Sequence, residues 1–152
     1  MPGMREIYPN CIYHIYSRGV LKMDIFRTPA DYEKFLLRLC EYKQKYPVSF
    51  RAFVLMPNHF HMLIIEPEWL PEQKVAHLSS FMRLLLNSYA KYFCKKYGHS
   101  GHVFQGAFKS KLIDSDSYYS QILQYIHENP AKKGLVSKAE FWPYGSLTRN
   151  LL

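Results

Sequence analysis

The segment Pro57-Asn58-His59-Phe60-His61-Met62-Leu63 carries two histidines one residue apart. On a strand, side chains two apart leave the same face, so both imidazoles can meet one metal ion. Phe60, Met62 and Ile64 would then turn the other way, into apolar packing. Two half-buried histidines satisfied by hydrogen bonds give the same spacing, and so short a motif matches often. A second grouping lies in Gln121-Ile122-Leu123-Gln124-Tyr125-Ile126-His127-Glu128-Asn129-Pro130. Helical spacing makes Tyr119, Ile122, Leu123 and Ile126 a buried stripe, with Tyr125 at its edge and Asn129 one turn later on the same side. A tyrosine with an oxygen-bearing side chain at i+4 can present a nucleophile and a metal ligand together. Among 13 tyrosines, one at a helix edge is also an ordinary packing residue.

The elements around these groupings follow from patterning. Residues 11–17 alternate as a strand, with Ile12, His14 and Tyr16 on one side, and Arg18-Gly19 ends it. A helix follows, capped near Thr28 with Pro29 at its first position. Its stripe is Tyr32, Phe35, Leu36, Leu39, Tyr42 and Tyr46, and Pro47 stops it. Residues 49–56 and 59–66 read as strands joined by the Pro57-Asn58 turn, a hairpin. A long helix is predicted from about residue 73 to 97, with Val75, Leu78, Met82, Leu85, Tyr89 and Phe93 inward. Arg83, Asn87, Lys91 and Lys95 lie toward its other side. Residues 108–113 form a last strand. Ser115 or Asp116 caps a helix through Glu128, closed by Asn129-Pro130. The tail from residue 132 packs on the body through Leu135, Phe141, Trp142 and Tyr144.

The order β-α-β-β-α-β-α is that of an α+β, ferredoxin-like (split βαβ) antiparallel sheet with one added C-terminal helix, the one bearing Tyr125. Residues 1–152 form one domain, as this length suggests. The first and third strands are central neighbours in that topology. His14 therefore lies near His59 and His61 if all share a face.

Bulk properties narrow the class. Hydrophobic residues make up 48%, enough for a core. Lys plus Arg number 20 against 12 Asp plus Glu, a net +8 that suits an anionic partner such as nucleic acid. The 13 Tyr and 10 Phe add rings on which bases can stack, although most belong in the core. Cys11, Cys40 and Cys94 are odd in number and lack a CxxC, so neither a disulfide framework nor a zinc knuckle is expected. A reducing cytoplasm fits, and no signal peptide or membrane span is apparent.

Several motifs together resemble the HUH-type single-tyrosine transposases, and most closely their REP-associated tyrosine transposase branch. Tyr13-His14-Ile15-Tyr16-Ser17-Arg18-Gly19 is similar to that branch's opening strand, and Ile25-Phe26-Arg27 with Asp31-Tyr32 to the stretch after it. Met56-Pro57-Asn58-His59-Phe60-His61 resembles the HUH signature. Gly101-His102-Val103-Phe104-Gln105-Gly106 and Phe108-Lys109-Ser110 resemble the segment before the tyrosine helix. Tyr125-Ile126-His127, Asn129-Pro130 and Gly134-Leu135-Val136 look like the block that carries the nucleophile. The likeness spans about residues 12 to 146. Ala107 stands where Arg is expected, Cys94 where Asn is common, and Glu128 where an apolar residue usually precedes Asn-Pro.

The resemblance implies that His59 and His61 are metal ligands and Tyr125 the nucleophile. Asn129 takes the place of the polar third ligand, with Gln121 and Glu128 as nearby alternatives. Mixed N/O ligation fits Mg²⁺ or Mn²⁺. The implied activity is cleavage and joining of single-stranded hairpin DNA through a 5′-phosphotyrosine, without ATP. For the proton of Tyr125, the candidates are water, the metal, His14 or His127. A basic face would carry the DNA: Arg18, Lys22, Arg83, Lys109, Lys111, Lys132 and Lys133, with Phe104 and Gln105 near bases. The other readings are a hairpin-binding relative that does not cut, an RNA-binding ferredoxin-like domain, and a relaxase or replication initiator. RNA binding is the weakest on sequence, since no RNP-like motif occurs. Monomer or homodimer stays open, because relatives occur both as dimers that exchange the tyrosine helix and as monomers, and residues 115–117 could act as the hinge for such an exchange.

Overall fold

The computed structural model describes residues 6–151, ordered as β1 (Ile12–Arg18), α1 (Pro29–Lys43), β2 (Ser49–Met56), β3 (His59–Ile65), α2 (His77–Tyr97), β4 (Lys109–Ile113) and α3 (Asp116–Lys132). Short 3-10 turns lie at Val20–Lys22 and Ala139–Phe141. The four strands are antiparallel in the order β2-β3-β1-β4, the ferredoxin-like arrangement with β1 and β3 in the middle.

Strand alternation divides the sheet into two faces with different tasks. Tyr13 and Ile15, Phe53 and Leu55, and Phe60, Met62 and Ile64 join Phe35, Leu39, Phe81 and Leu85 of α1 and α2 in the main core. On the opposite face Ala52, Val54, Met56 and Leu63 meet Ile126 of α3, flanked by Ile122 and Leu123. The same alternation puts His14, Tyr16, His59 and His61 on this second face. The helix bearing Tyr125 thus packs on the histidine side of the sheet.

Helix ends show where local pattern and tertiary context part. α1 begins where the sequence predicts: Asp31 Oδ2 accepts from the backbone N–H of Thr28 at 3.1 Å and of Arg27 at 2.9 Å. α2 begins at His77, not near residue 73. Its cap comes from the end of the sheet: Glu66, fully buried, accepts from the N–H groups of His77 (2.8 Å) and Leu78 (2.9 Å) and from Trp69 Nε1 (2.7 Å). Val75, expected in the apolar stripe, precedes the helix and is exposed.

α3 does not close at Glu128 but runs through Asn129 and Pro130 to Lys132. Proline forfeits one backbone bond. Burial of Asn129 and Pro130 against the sheet holds the helix to its end, where Leu135 N donates to Pro130 O and Gly134 takes the left-handed turn at φ 76°.

The tail covers the free edge of β2, where an unpaired strand would invite association. Leu55 N donates to Tyr144 O at 2.8 Å, and Ser146 N to Phe53 O at 2.9 Å. Trp142 Nε1 donates to Leu55 O at 2.9 Å, and Tyr144 stacks on Tyr32 at 3.9 Å. Trp142 and Tyr144 pack as expected; Leu135 and Phe141 stay exposed. Among the described residues, no helix is long and apolar enough to cross a membrane.

Candidate active site

The turn before His59 is pinned from two sides. Gly19 N donates to Asn58 O at 2.8 Å, and the N–H groups of Ile25 and Phe26 both reach Pro57 O. Gly19 has no room for a side chain, since a Cβ would stand 2.2 Å from Met23 O. β3 therefore starts in a fixed register, with His59 opposite Arg18, His61 opposite Tyr16 and Leu63 opposite His14.

In that register three imidazoles meet. His14 Nε2 and His61 Nδ1 are 2.9 Å apart. His59 Nδ1 lies 2.6 Å from Asn58 Oδ1, and the His59 and His61 ring centres are 5.1 Å apart. Tyr125 meets His61 edge-on, ring centres 5.1 Å apart, within one chain. Tyr125 is 40% exposed and faces the cleft described below.

Burial keeps these rings neutral. It lowers His61 to about 3, helped by His14, His59 and Lys133. It lowers His14 to about 4, helped by Lys111. His59 is lowered by burial and Lys133, against a favourable contact with Asn129. A neutral imidazole is the form that ligates a metal.

Asn129 supplies the test of fit for a cation. It is 2% exposed, and its side chain lies close to His59 while its buried Oδ1 makes no hydrogen bond of good geometry. Leaving such an acceptor unmet costs about 1–3 kcal/mol, which a ligand would recover. Among the described residues no group of three or more His, Cys, Asp or Glu is poised to hold a metal. The alternatives stand elsewhere. Glu128 accepts from Gln124 and pairs with Lys132 at 3.3 Å, and Gln121 is exposed and outside the cleft.

His59, His61 and Tyr125 open into a cleft of about 800 Å³ whose charged lining is Arg18, Lys22, Lys109 and Lys133 against the single carboxylate of Asp24. Arg18 is ordered by Gln105: its Nε donates to Gln105 Oε1 at 2.9 Å, and Gln105 N donates back to Arg18 O at 2.9 Å. Lys111 stands beside the cleft, its ammonium 6.0 Å over the Tyr16 ring. Three expected residues are placed otherwise. Phe104 is buried, packed near Phe60 with ring centres 6.2 Å apart. Arg83 lies on α2 in a separate groove. His127 faces Ser146 Oγ at 3.2 Å, outside the cleft, which removes it as the base. Asn58 and Tyr16 belong to the site although neither was singled out; period-two spacing from His14 already put Tyr16 on that face.

The sequence matches the family described as Transposase IS200 like over residues 7–129. A curated Haemophilus influenzae protein named as a REP-associated tyrosine transposase is 32% identical over 117 residues, 74% of this chain. The chain spans 64% of that relative's length. Among solved structures, a REP-associated tyrosine transposase bound to a REP hairpin superposes with a TM-score of 0.75 at 22% identity, covering 96% of this chain and 82% of that one. A Deinococcus radiodurans protein assigned to the transposases gives 0.52 at 18%, covering 85% and 97%. At these identities the structural likeness speaks for the fold.

Proposed function

The chain belongs to the IS200-like transposase family, and from that premise we propose that it is a single-stranded DNA endonuclease and strand transferase acting on hairpin DNA. One observation carries this reading: an exposed Tyr125 lies edge-on to His61 in one basic cleft with His59, and the buried Asn129 side chain lies close to His59 behind it.

In the proposed reaction Tyr125 Oη attacks a phosphorus in line with the departing 3′ oxygen. A bond from phosphorus to the tyrosine oxygen forms as the bond to the 3′ oxygen breaks. The phenol proton ends on that leaving oxygen, giving a 5′-phosphotyrosine and a free 3′-hydroxyl. The phosphodiester count is unchanged, so no ATP is consumed. Attack by another 3′-hydroxyl reverses the step and joins strands. His59, His61 and Asn129 would hold Mg²⁺ or Mn²⁺, which when bound polarises the scissile phosphate and offsets charge in the transition state. Arg18, Lys22, Lys109 and Lys133 take the backbone phosphates along the cleft. A hairpin substrate is supported by the hairpin bound to the structural relative.

The test is a cleavage assay on 5′- and 3′-labelled single-stranded hairpins from the ends of the encoding locus, with Mg²⁺ or Mn²⁺. Wild type should give a denaturation-resistant protein–DNA adduct. Tyr125→Phe and His61→Ala should bind the hairpin and give none. Binding without an adduct under either metal would instead make this a hairpin-binding protein that does not cut.

A further inference from the structure

Between β1 and α1 the chain makes a strained turn beside the cleft. Leu21 and Lys22 both hold left-handed backbone, at φ 53° and 60°, a conformation unfavourable to any residue with a Cβ. Burial does not keep Leu21 there, since it is 91% exposed. Backbone hydrogen bonds do. Val20 N donates to Val103 O at 2.8 Å, and the N–H groups of Lys22 and Met23 donate to Gly19 O and Val20 O, each at 3.0 Å. Strain that the surroundings enforce in this way clusters next to working sites.

The turn brings the Lys22 carbonyl to Asn58. Asn58 Nδ2 donates to Lys22 O at 3.4 Å, and Asn58 Oδ1 lies 2.6 Å from His59 Nδ1. These two contacts admit one consistent set of protons. A backbone carbonyl only accepts, so the amide presents its NH₂ to Lys22 and its oxygen to His59. The flipped amide would set two oxygens against each other. An amide oxygen also only accepts, so His59 Nδ1 carries the proton, and in the neutral ring Nε2 is left bare. The Asn58 backbone is tied to the same turn, since Gly19 N donates to Asn58 O at 2.8 Å. Asn129, whose buried Oδ1 lacks a good hydrogen bond, lies close to the His59 ring. A bare Nε2 and an amide oxygen are both acceptors, and a cation satisfies two acceptors where a single ring proton cannot.

We infer that Asn58 is a positioning residue for His59: it fixes the Nδ1–H tautomer and leaves Nε2 as the donor to a divalent cation, and the strained turn at Leu21 and Lys22 holds the Asn58 amide in the orientation that does so. The inference rests on the metal site of the proposed function and deepens it. The tautomer itself belongs to the metal-free protein and is measured without DNA.

The experiment reads that tautomer first. Long-range proton–nitrogen correlation spectra are recorded on metal-free protein labelled at the histidine nitrogens, with the His59 signals identified by their absence from His59→Gln. Wild-type His59 should be protonated at Nδ1. Asn58→Ala should lose that preference, and Asn58→Asp, which keeps an acceptor, should restore it. Mn²⁺ affinity in calorimetric titration should fall about 10–100-fold in Asn58→Ala and return in Asn58→Asp. Wild-type His59 protonated at Nε2 overturns the inference without any Asn58 variant having to fold. Asn58→Ala with the wild-type tautomer and unchanged Mn²⁺ affinity overturns it as well. In either case a Tyr125-dependent adduct leaves the cleavage reading standing. The expected tautomers and Mn²⁺ affinities in a protein that forms no adduct would uphold the role of Asn58 and remove the cleavage reading.

Discussion

His14 Nε2 lies 2.9 Å from His61 Nδ1 across the diagonal between β1 and β3, and the two rings stack 5.1 Å apart. If His61 ligates a metal as proposed, this contact sets its tautomer. A lone pair on His61 Nε2 for a ligand requires the proton on Nδ1, so His61 donates and His14 Nε2 accepts. In the proposed metal site His14 would be a positioning residue, acting through His61. Loss of such a partner costs about 10–100-fold in metal affinity. His14→Ala should weaken Mn²⁺ binding by that factor in calorimetric titration, with hairpin binding intact and adduct yield restored by excess metal. His14→Gln, which keeps an acceptor, should retain most of the affinity. Unchanged Mn²⁺ affinity in His14→Ala would reduce His14 to packing.

The buried imidazoles also set a pH dependence for the metal-free protein. Burial holds His61 to about 3 and His14 to about 4, against an ordinary value of 6.5. As pH falls the unfolded chain takes up protons first, so it binds more protons than the native state. Stability from the neutral rings is then full above 6.5 and is lost as pH falls from there through the folded values. The urea midpoint of apoprotein should drop steadily on acidification across that window, and His14→Gln should flatten the drop. A midpoint constant from about pH 7 to about pH 5 would contradict this.

Much of the candidate site's placement was legible because its determinants are local. Residues 59–61 alternate on a strand whose start is marked by Pro57-Asn58, and the ferredoxin-like order makes β1 its neighbour, which predicts His14 beside the pair. The motif resemblance agrees with the matched family. What escaped is non-local. Phe104 reads as a base contact, but pairing of the Phe104 backbone with Gly19 places it at the core. Pro130 reads as a stop, but burial under the sheet outweighs one lost hydrogen bond. The start of α2 is set by Glu66, eleven residues before His77, a distance no helix-capping pattern spans.

That remote cap gives a stability prediction separable from function. Glu66 is fully buried and takes two backbone N–H groups of α2 and the Trp69 indole. Glu66→Ala leaves those donors unmet and should cost about 1–3 kcal/mol in urea unfolding. Glu66→Gln keeps one acceptor oxygen and should cost less. The hairpin affinity of the folded fraction should not change for either variant. An Ala variant as stable as wild type would mean that the backbone of the 66–76 segment satisfies the helix end without the carboxylate.

The cleft charges make a prediction that salt can read. Lys109 has no ion pair among the described residues, and Lys133 lines the same cleft from the end of α3. If both neutralise phosphates, each should release counterions, and each Ala variant should flatten the slope of log affinity against log salt by about 0.7–0.9. The loss should be the same for hairpins of different sequence, since phosphate contacts carry no base information. Lys45, beyond the end of α1 and outside the cleft, removes the same net charge and serves as the control. If Lys45→Ala flattens the slope as much as Lys109→Ala, the +8 of the whole chain draws the DNA and the cleft is not its path.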